Sequence, residues 1–279
     1  MQFETDRATI DYEEHGEGDA VLFLHGWSMD RRLETAAYEP IFAARKDLRR
    51  IYPDLPGMGR SRARRIDCQD DMLEALIAFV DGVLGRERFV LCGTSGGGYL
   101  ARALAVKRRE RVRGLLLNVP AVIADTAKRT IPPFQPLVRN QALLDALPKD
   151  ERAALAEVLV QTPEWLDARR RVLRDLVGPA FAANAPLVAE IRADPARYAV
   201  SFDLAQAEKG FDRPTLIIAA RQDRVVGYRD ALGLLDSYPR ATFAVVDRAD
   251  HGWPVESPRL LQALVEDWLE RIDRFEHHR

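Results

Sequence analysis

The stretch that decides the fold is Phe89-Val90-Leu91-Cys92-Gly93-Thr94-Ser95-Gly96-Gly97. Its apolar first half predicts a short buried strand, and the residues that follow, 99–105, predict a helix. Between them stands the pattern G-x-S-x-G, in which small neighbours permit a sharp turn from strand to helix. Such a turn exposes the Ser95 hydroxyl at the strand end, beside the N–H groups of the helix start. We therefore interpret Ser95 as a candidate nucleophile rather than an incidental serine in a glycine-rich turn.

Strand and helix patterns alternate on both sides of this motif. Residues 9–13 alternate apolar and polar side chains, as a half-buried antiparallel edge strand would. Further strands are predicted at 20–24, 49–52, 112–119, 215–220 and 241–246, and helices at 30–44, 70–84, 229–237 and 255–275. The alternation predicts an α/β fold with a mostly parallel, doubly wound sheet covered on both faces.

The alternation stops between residues 121 and 210, where helix patterns occur without convincing strands. Prolines punctuate this segment, and two of them, Pro148 and Pro163, stand where helices are expected to begin. We expect residues 1–120 and 211–279 to form the core, with residues 121–210 inserted as a helical cap. Such a cap would cover the carboxyl ends of the strands, where folds of this class bind ligands.

Composition excludes several classes of partner. The 279-residue chain has a net charge of −2, which gives no reason to expect nucleic acid or an anionic membrane as a partner. Its two cysteines do not make a disulfide framework. No apolar run resembles a secretion signal or a membrane span. We expect a cytoplasmic protein that acts on a small molecule, and the oligomeric state stays open.

A serine hydroxyl needs a base within hydrogen-bond reach. The chain has five histidines: His15, His25, His251, His277 and His278. The first falls in the N-terminal strand region, the last two fall in the terminal tail, and His25 belongs to a loop motif. His251 lies between the last predicted strand and the last helix, at the carboxyl end of a strand, where catalytic groups gather. It is the expected base.

The base needs a carboxylate to orient it. Asp223 directly follows the strand at 215–220, so it also lies at a carboxyl strand end. Asp247 and Asp250 compete with it, although Asp250 is adjacent to His251, which is poor geometry for reaching its ring. The order Ser95, Asp223, His251 is the one in which triad residues follow a nucleophile elbow.

A tetrahedral intermediate needs two N–H donors for its oxyanion. The backbone of Gly96 is the first candidate, and the second is the backbone N–H of Trp27, in the loop after the strand at 20–24. In this arrangement His25 is expected to be a structural histidine of the same loop.

Together these residues resemble the α/β-hydrolase superfamily of serine hydrolases. The resemblance runs from His25-Gly26-Trp27 through the stretch D-x-P-G-x-G-x-S at 54–61 and the elbow to Asp223 and Asp250-His251-Gly252. It implies a Ser-His-Asp triad, no cofactor and no metal ion. It also implies a helical cap that lines the substrate pocket. We expect only one or two of the aromatic candidates to line that pocket and the rest to be plain packing within the cap; the candidates are Phe134, Trp165, Phe181, Tyr198, Phe202 and Trp253.

Departures from the superfamily patterns narrow the expected activity. Epoxide hydrolases and haloalkane dehalogenases carry aspartate where this chain has Ser95. Proline iminopeptidases carry a bulky aromatic residue where it has Gly96, and we expect that glycine to leave free space for a bulkier acyl group. The leading expectation is a carboxylesterase that forms an acyl-enzyme. An aminopeptidase of the proline iminopeptidase type, a carbon–carbon bond hydrolase and a non-catalytic ligand-binding protein are the alternatives.

Overall fold

The computed structural model describes residues 1–252 and 258–277 and contains a nine-stranded sheet flanked by helices. The strands are β1 (Gln2–Glu4), β2 (Ala8–His15), β3 (Asp19–Leu24), β4 (Leu48–Pro53), β5 (Arg62–Ala63), β6 (Phe89–Thr94), β7 (Val112–Asn118), β8 (Thr215–Ala220) and β9 (Ala241–Val246). The two strands expected at 215–220 and 241–246 are found with those bounds.

The strand order is β1-β2-β4-β3-β6-β7-β8-β9, and β5 pairs with β2. β2 pairs antiparallel with β1 and with β4, whereas neighbouring strands along β4-β3-β6-β7-β8-β9 all pair in parallel. The predicted mostly parallel sheet is therefore confirmed. The sequence interpretation missed β1 and β5, which are too short to show a hydrophobic period. It was also wrong to place the strand at 9–13 on the edge, because β1 and β4 flank β2.

The helices that flank the sheet are α1 (Arg31–Phe42), α2 (Gln69–Leu84), α3 (Gly96–Lys107), α10 (Tyr228–Leu232) and α11 (Pro258–His277). Four apolar side chains of α2, Met72, Leu76, Phe79 and Val80, are buried in the main core. Each such side chain contributes about 1.5–3 kcal/mol by leaving water. Within residues 1–252 and 258–277, no helix is both long enough and apolar enough to cross a membrane.

The segment between β7 and β8 is helical. It contains α4 (Gln141–Asp145), α5 (Lys149–Leu155), α6 (Pro163–Val172), α7 (Gly178–Ala182), α8 (Pro186–Ala193) and α9 (Leu204–Ala207), and a π-helical turn joins α6 to α7. α6 begins at Pro163, and α5 begins at Lys149, directly after Pro148, so both helices start where the prolines predicted. The segment has a small apolar cluster of its own, formed by Leu144, Leu147, Leu155, Val158 and Leu166.

A buried ion pair connects the end of this helical segment to α3. Arg102 donates two hydrogen bonds to the carboxylate of Glu208, at 2.7 and 2.8 Å, and both side chains are 2% exposed. The Tyr238 hydroxyl donates to the same carboxylate at 2.7 Å, and Arg102 also reaches the carbonyl oxygen of Ala121. A charge so deeply buried is tolerated because its hydrogen bonds are satisfied.

Candidate active site

Ser95 lies on a strained turn between β6 and α3. Its backbone has φ 55° and ψ −119°, a conformation that costs a non-glycine residue about 1–3 kcal/mol. Steric crowding explains why position 97 is glycine, because a Cβ there would stand 2.2 Å from the carbonyl oxygen of Leu24. The chain can therefore turn sharply out of the sheet here, and the Ser95 side chain stands at the carboxyl end of β6.

Two backbone hydrogen bonds, one to the last residue of β7 and one to the loop that follows it, hold this turn. The Ser95 amide donates to the Asn118 carbonyl at 3.0 Å, and the Ala121 amide donates to the Ser95 carbonyl at 2.9 Å. Between Asn118 and Ala121 lies Val119, a β-branched residue with φ 39°. Positive φ at such a residue is a genuine outlier. The sequence interpretation missed this support, since a valine gives no signal of a left-handed turn.

The structure brings Ser95, His251 and Asp223 together in one hydrogen-bonded chain. His251 Nε2 lies 2.8 Å from Ser95 Oγ, and His251 Nδ1 lies 2.8 Å from Asp223 Oδ2. The other carboxylate oxygen of Asp223 accepts from the amides of Val225 and Val226, at 2.8 and 3.0 Å. Because a carboxylate only accepts, His251 carries its proton on Nδ1, and Nε2 is free to accept from the serine hydroxyl.

The charge of Asp223 is stabilised where it stands. Burial, with 1% of the residue exposed, acts to raise its pKa. His251 and the two backbone N–H bonds outweigh burial, so the pKa of Asp223 is lowered from its ordinary value. The carboxyl group is therefore ionised at neutral pH.

Among the described residues, neither competing aspartate makes a hydrogen bond to His251. Asp250 accepts a hydrogen bond from the Gly252 amide at 2.7 Å, which caps its own turn. Asp247 is exposed to solvent.

The amides of Trp27 and Gly96 lie close together because β3 and β6 run parallel, with Leu24 opposite Gly93. The nitrogen of Trp27 is 3.1 Å from the point where a Cβ of residue 96 would stand. Among residues 1–252 and 258–277, the Trp27 amide has no backbone acceptor. Two N–H groups beside a serine hydroxyl can stabilise a negatively charged oxygen.

His25 holds the loop that carries Trp27. The ring is fully buried, with Nδ1 2.8 Å from the Gly26 carbonyl and Nε2 accepting from the Leu55 amide at 2.8 Å. Burial lowers the pKa of His25, so the ring is neutral. Asp54 supports the same loop, accepting from the Arg31 amide at 2.9 Å and from its guanidinium at 2.8 Å. The expectation that His25 is a structural residue is confirmed.

The expectation of free space beside Gly96 is wrong. A Cβ at this position would stand 2.8 Å from Trp27 Cβ and 2.8 Å from the Tyr198 hydroxyl oxygen. Both distances are shorter than real Cβ contacts, so neighbouring groups already fill the volume that a side chain would take. The glycine at position 96 reflects close packing against Trp27 and Tyr198, and it leaves no extra room for an acyl group.

Two of the six aromatic candidates lie near the site. Tyr198 packs edge-on against Trp27, with ring centroids 4.9 Å apart. Phe134 lines a cavity of about 90 Å³ that also contacts His251, Gln222 and Arg224. The Arg224 guanidinium lies 4.8 Å from the Phe134 ring centroid.

Three other candidates are not brought to Ser95. Trp165 packs on the separate apolar cluster of the helical segment, and Phe181 is 56% exposed. Phe202 lies under the ammonium group of Lys107, at the opposite end of α3 and about 18 Å along the helix from Ser95. Trp253 falls outside the described residues.

A buried carboxyl group behind the elbow was also missed. Glu34 of α1 accepts a hydrogen bond from the Thr94 hydroxyl at 3.1 Å, and Thr94 directly precedes Ser95. Burial raises the pKa of Glu34 to about 8. A single glutamate on an amphipathic helix gives no sequence signal of this contact.

Comparison with known proteins places the chain in a family. The sequence profile described as "Alpha/beta hydrolase family" matches residues 21–263. The chain belongs to the alpha/beta hydrolase family. This result confirms the resemblance stated for the motifs, and the mostly parallel sheet agrees with it.

The relatives of this hydrolase cover most of its length. It is 30% identical to 2-hydroxymuconate semialdehyde hydrolase of Pseudomonas putida, over 93% of this chain and 90% of that one. It is 27% identical to pimeloyl-[acyl-carrier protein] methyl ester esterase of Nitrosomonas europaea, over 88% and 93% of the two chains. A solved alpha/beta superfamily hydrolase from Oenococcus oeni superposes with a TM-score of 0.83 at 25% identity, over 98% and 99% of the two chains. Against one bifunctional relative, the chain spans 44% of that protein's length.

Proposed function

We propose that this hydrolase cleaves a small-molecule carboxylic ester through a Ser-His-Asp triad and an acyl-enzyme. The observation that carries the proposal is the hydrogen-bonded chain from Ser95 through His251 to Asp223, with 2.8 Å at both contacts of the imidazole ring. This geometry lets the histidine take the serine proton as the hydroxyl attacks a carbonyl carbon.

The reaction proceeds in two halves. In the first, Ser95 Oγ bonds to the acyl carbon while His251 Nε2 takes its proton, and the carbonyl oxygen becomes an oxyanion that the amides of Trp27 and Gly96 stabilise. His251 then gives its proton to the leaving alcohol as the ester bond breaks. In the second half, water attacks the acyl-enzyme with His251 as the base, which releases the acid and restores Ser95.

The domain division also belongs to this proposal. In it, residues 121–210 form a cap over a core of residues 1–120 and 211–279. Two contacts of the helical segment near Ser95 support this division. Trp27 Nε1 donates to the Val188 carbonyl at 3.0 Å, and Tyr198 packs on Trp27. Substrate specificity would then depend on the cap. The cytoplasmic location expected from the sequence stays a prediction.

A carbon–carbon bond hydrolase is the second candidate function. It is favoured by the 30% identity to 2-hydroxymuconate semialdehyde hydrolase, over 93% of this chain. The ester reading is favoured by the similarity to the pimeloyl ester esterase. The same triad serves both, so the difference lies in the leaving group, which is an alcohol in one case and a carbanion in the other.

Labelling with a fluorophosphonate probe tests the triad. We expect wild-type protein to be labelled and to hydrolyse p-nitrophenyl butyrate, and Ser95→Ala to lose both properties. Ser201→Ala, which changes an exposed serine of the helical segment, is the matched control and should behave as wild type. Labelling that persists in Ser95→Ala would contradict the proposal. Turnover of a vinylogous diketone but not of esters would favour the second candidate.

A further inference from the structure

The Tyr198 hydroxyl lies beside the residue that follows the nucleophile. Its oxygen is 2.8 Å from the position of a Cβ on residue 96. Because a Cβ stands about 2.5 Å from its own amide nitrogen, the hydroxyl lies within about 5.3 Å of the Gly96 nitrogen. It therefore occupies the place that a polar side chain at position 96 would have taken, next to the proposed oxyanion site.

The Tyr198 ring is held in this place from two sides. It packs edge-on against Trp27 and is stacked on Tyr99, with centroids 6.4 Å apart. The Tyr99 hydroxyl accepts from the amide of Val200, two residues beyond Tyr198, at 3.0 Å. The ring is 1% exposed, so the hydroxyl is fixed before substrate arrives.

Two arginines, Arg129 and Arg192, lie near Tyr198. Burial raises the pKa of Tyr198, and the nearby charges of Arg192 and Arg129 oppose that rise. The Arg129 guanidinium donates to the carbonyls of Ile123 and Val225, at 2.8 and 2.9 Å, so it is fixed and cationic. The Arg192 guanidinium lies over the Tyr198 ring, 5.8 Å from its centroid. Because a guanidinium has no acceptor atom, neither arginine can take the hydroxyl proton, which stays available for another partner.

We propose that the Tyr198 hydroxyl is a third hydrogen-bond donor to the oxyanion, beside the amides of Gly96 and Trp27. The inference rests on the proposed ester hydrolysis, and it assigns a catalytic role to a residue of the cap. The hydroxyl donates a hydrogen bond and transfers no proton, so the acid–base steps stay with His251. It also gives position 96 a functional reason to be glycine, since a side chain there would displace the donor.

The substitution Tyr198→Phe tests this role, because it removes the hydroxyl and keeps the ring. Loss of one oxyanion donor typically lowers kcat by about 10²–10³-fold, and for a third donor we expect a loss of about tenfold or more. With p-nitrophenyl butyrate, kcat should fall while KM changes less than about twofold. Tyr238→Phe is the matched control. It removes a hydroxyl that is equally buried but bonded to Glu208, and it should leave kcat unchanged.

A second measurement separates catalysis from packing. Phenylboronic acid forms a tetrahedral adduct with an active-site serine, and its inhibition constant should rise in Tyr198→Phe by a factor close to the loss in kcat. In Gly96→Ala the new methyl group displaces the hydroxyl, so adding Tyr198→Phe to that variant should change kcat less than about twofold.

The outcomes distinguish the two proposals. Wild-type protein that neither hydrolyses esters nor reacts with the fluorophosphonate contradicts the proposed function itself. Wild-type protein that does both, with a Tyr198→Phe variant that keeps kcat and the boronate inhibition constant within about twofold, overturns the role of Tyr198. A rise in KM alone would also overturn it, because the hydroxyl would then bind ground state and transition state equally.

Discussion

The carboxyl group of Glu34 accepts a hydrogen bond from the Thr94 hydroxyl, 3.1 Å away, immediately behind the proposed nucleophile. Tyr38 and Cys92 lie beside this carboxyl group, and burial raises its pKa from 4.5 to about 8. The folded protein therefore holds a proton on Glu34 at neutral pH, where the unfolded chain has released it.

The contribution of Glu34 to the free energy of unfolding should accordingly fall as pH rises. Between pH 4.5 and about 8 the folded state binds one proton more than the unfolded state at Glu34. The contribution of this group is fully present below pH 4.5 and is lost as pH approaches 8, at about 1.4 kcal/mol per pH unit. Glu34→Gln carries no such dependence. Urea unfolding of both proteins from about pH 5.5 to 7.5 measures the difference directly, since all other groups cancel. An equal slope in the two proteins would show that Glu34 is ionised in the fold.

Replacing Asp223 by Asn should lower kcat by about 10³–10⁴-fold. The Asn oxygen would turn toward the amides of Val225 and Val226, which need an acceptor, and its NH₂ group would face His251 Nδ1. His251 would then carry its proton on Nε2 and could not accept one from Ser95. Steady-state hydrolysis of p-nitrophenyl butyrate, with circular dichroism as the control for folding, checks this. A loss of less than about tenfold would indicate that another group orients the histidine.

Replacing Arg102 by Met should cost about 3–5 kcal/mol of unfolding free energy, because it leaves Glu208 buried without its cation. The matched control is Arg274→Met on α11. Its pair with Glu270 is exposed and its loss should cost less than about 1 kcal/mol. Urea unfolding measures both variants. Similar costs would mean that burial does not distinguish the two ion pairs.

Motifs and strand order carried much of the information about this site. The G-x-S-x-G pattern with its flanking strand and helix predicted the elbow, because few residue types tolerate so tight a turn. Asp223 and His251 could be selected because each follows a strand, and the carboxyl ends of parallel strands meet at one edge of a sheet. The structure brings these three side chains into hydrogen-bond contact.

Contacts between segments that are distant in sequence could not be predicted in this way. The prediction of free space beside Gly96 was wrong because the sequence shows which side chain is missing and does not show what fills its volume. Trp27 comes from the loop after β3 and Tyr198 from the region after α8, about 70 residues before and 100 residues after position 96. Phe202 and Phe181 are of the residue type that lines pockets, but the structure places Phe202 under the ammonium group of Lys107 and leaves Phe181 56% exposed.

The sequence by itself determined the alternation of strands and helices and the family, because backbone turns and buried strands restrict residue type locally. It also determined the candidate triad, because chain order fixes which strand ends carry polar groups. Only the tertiary structure decided what surrounds those groups: the protonated Glu34 behind the elbow, the positive φ at Val119, and the Tyr198 hydroxyl against Gly96. These depend on distances between residues remote in sequence, and burial rather than residue type sets their charge and hydrogen bonding.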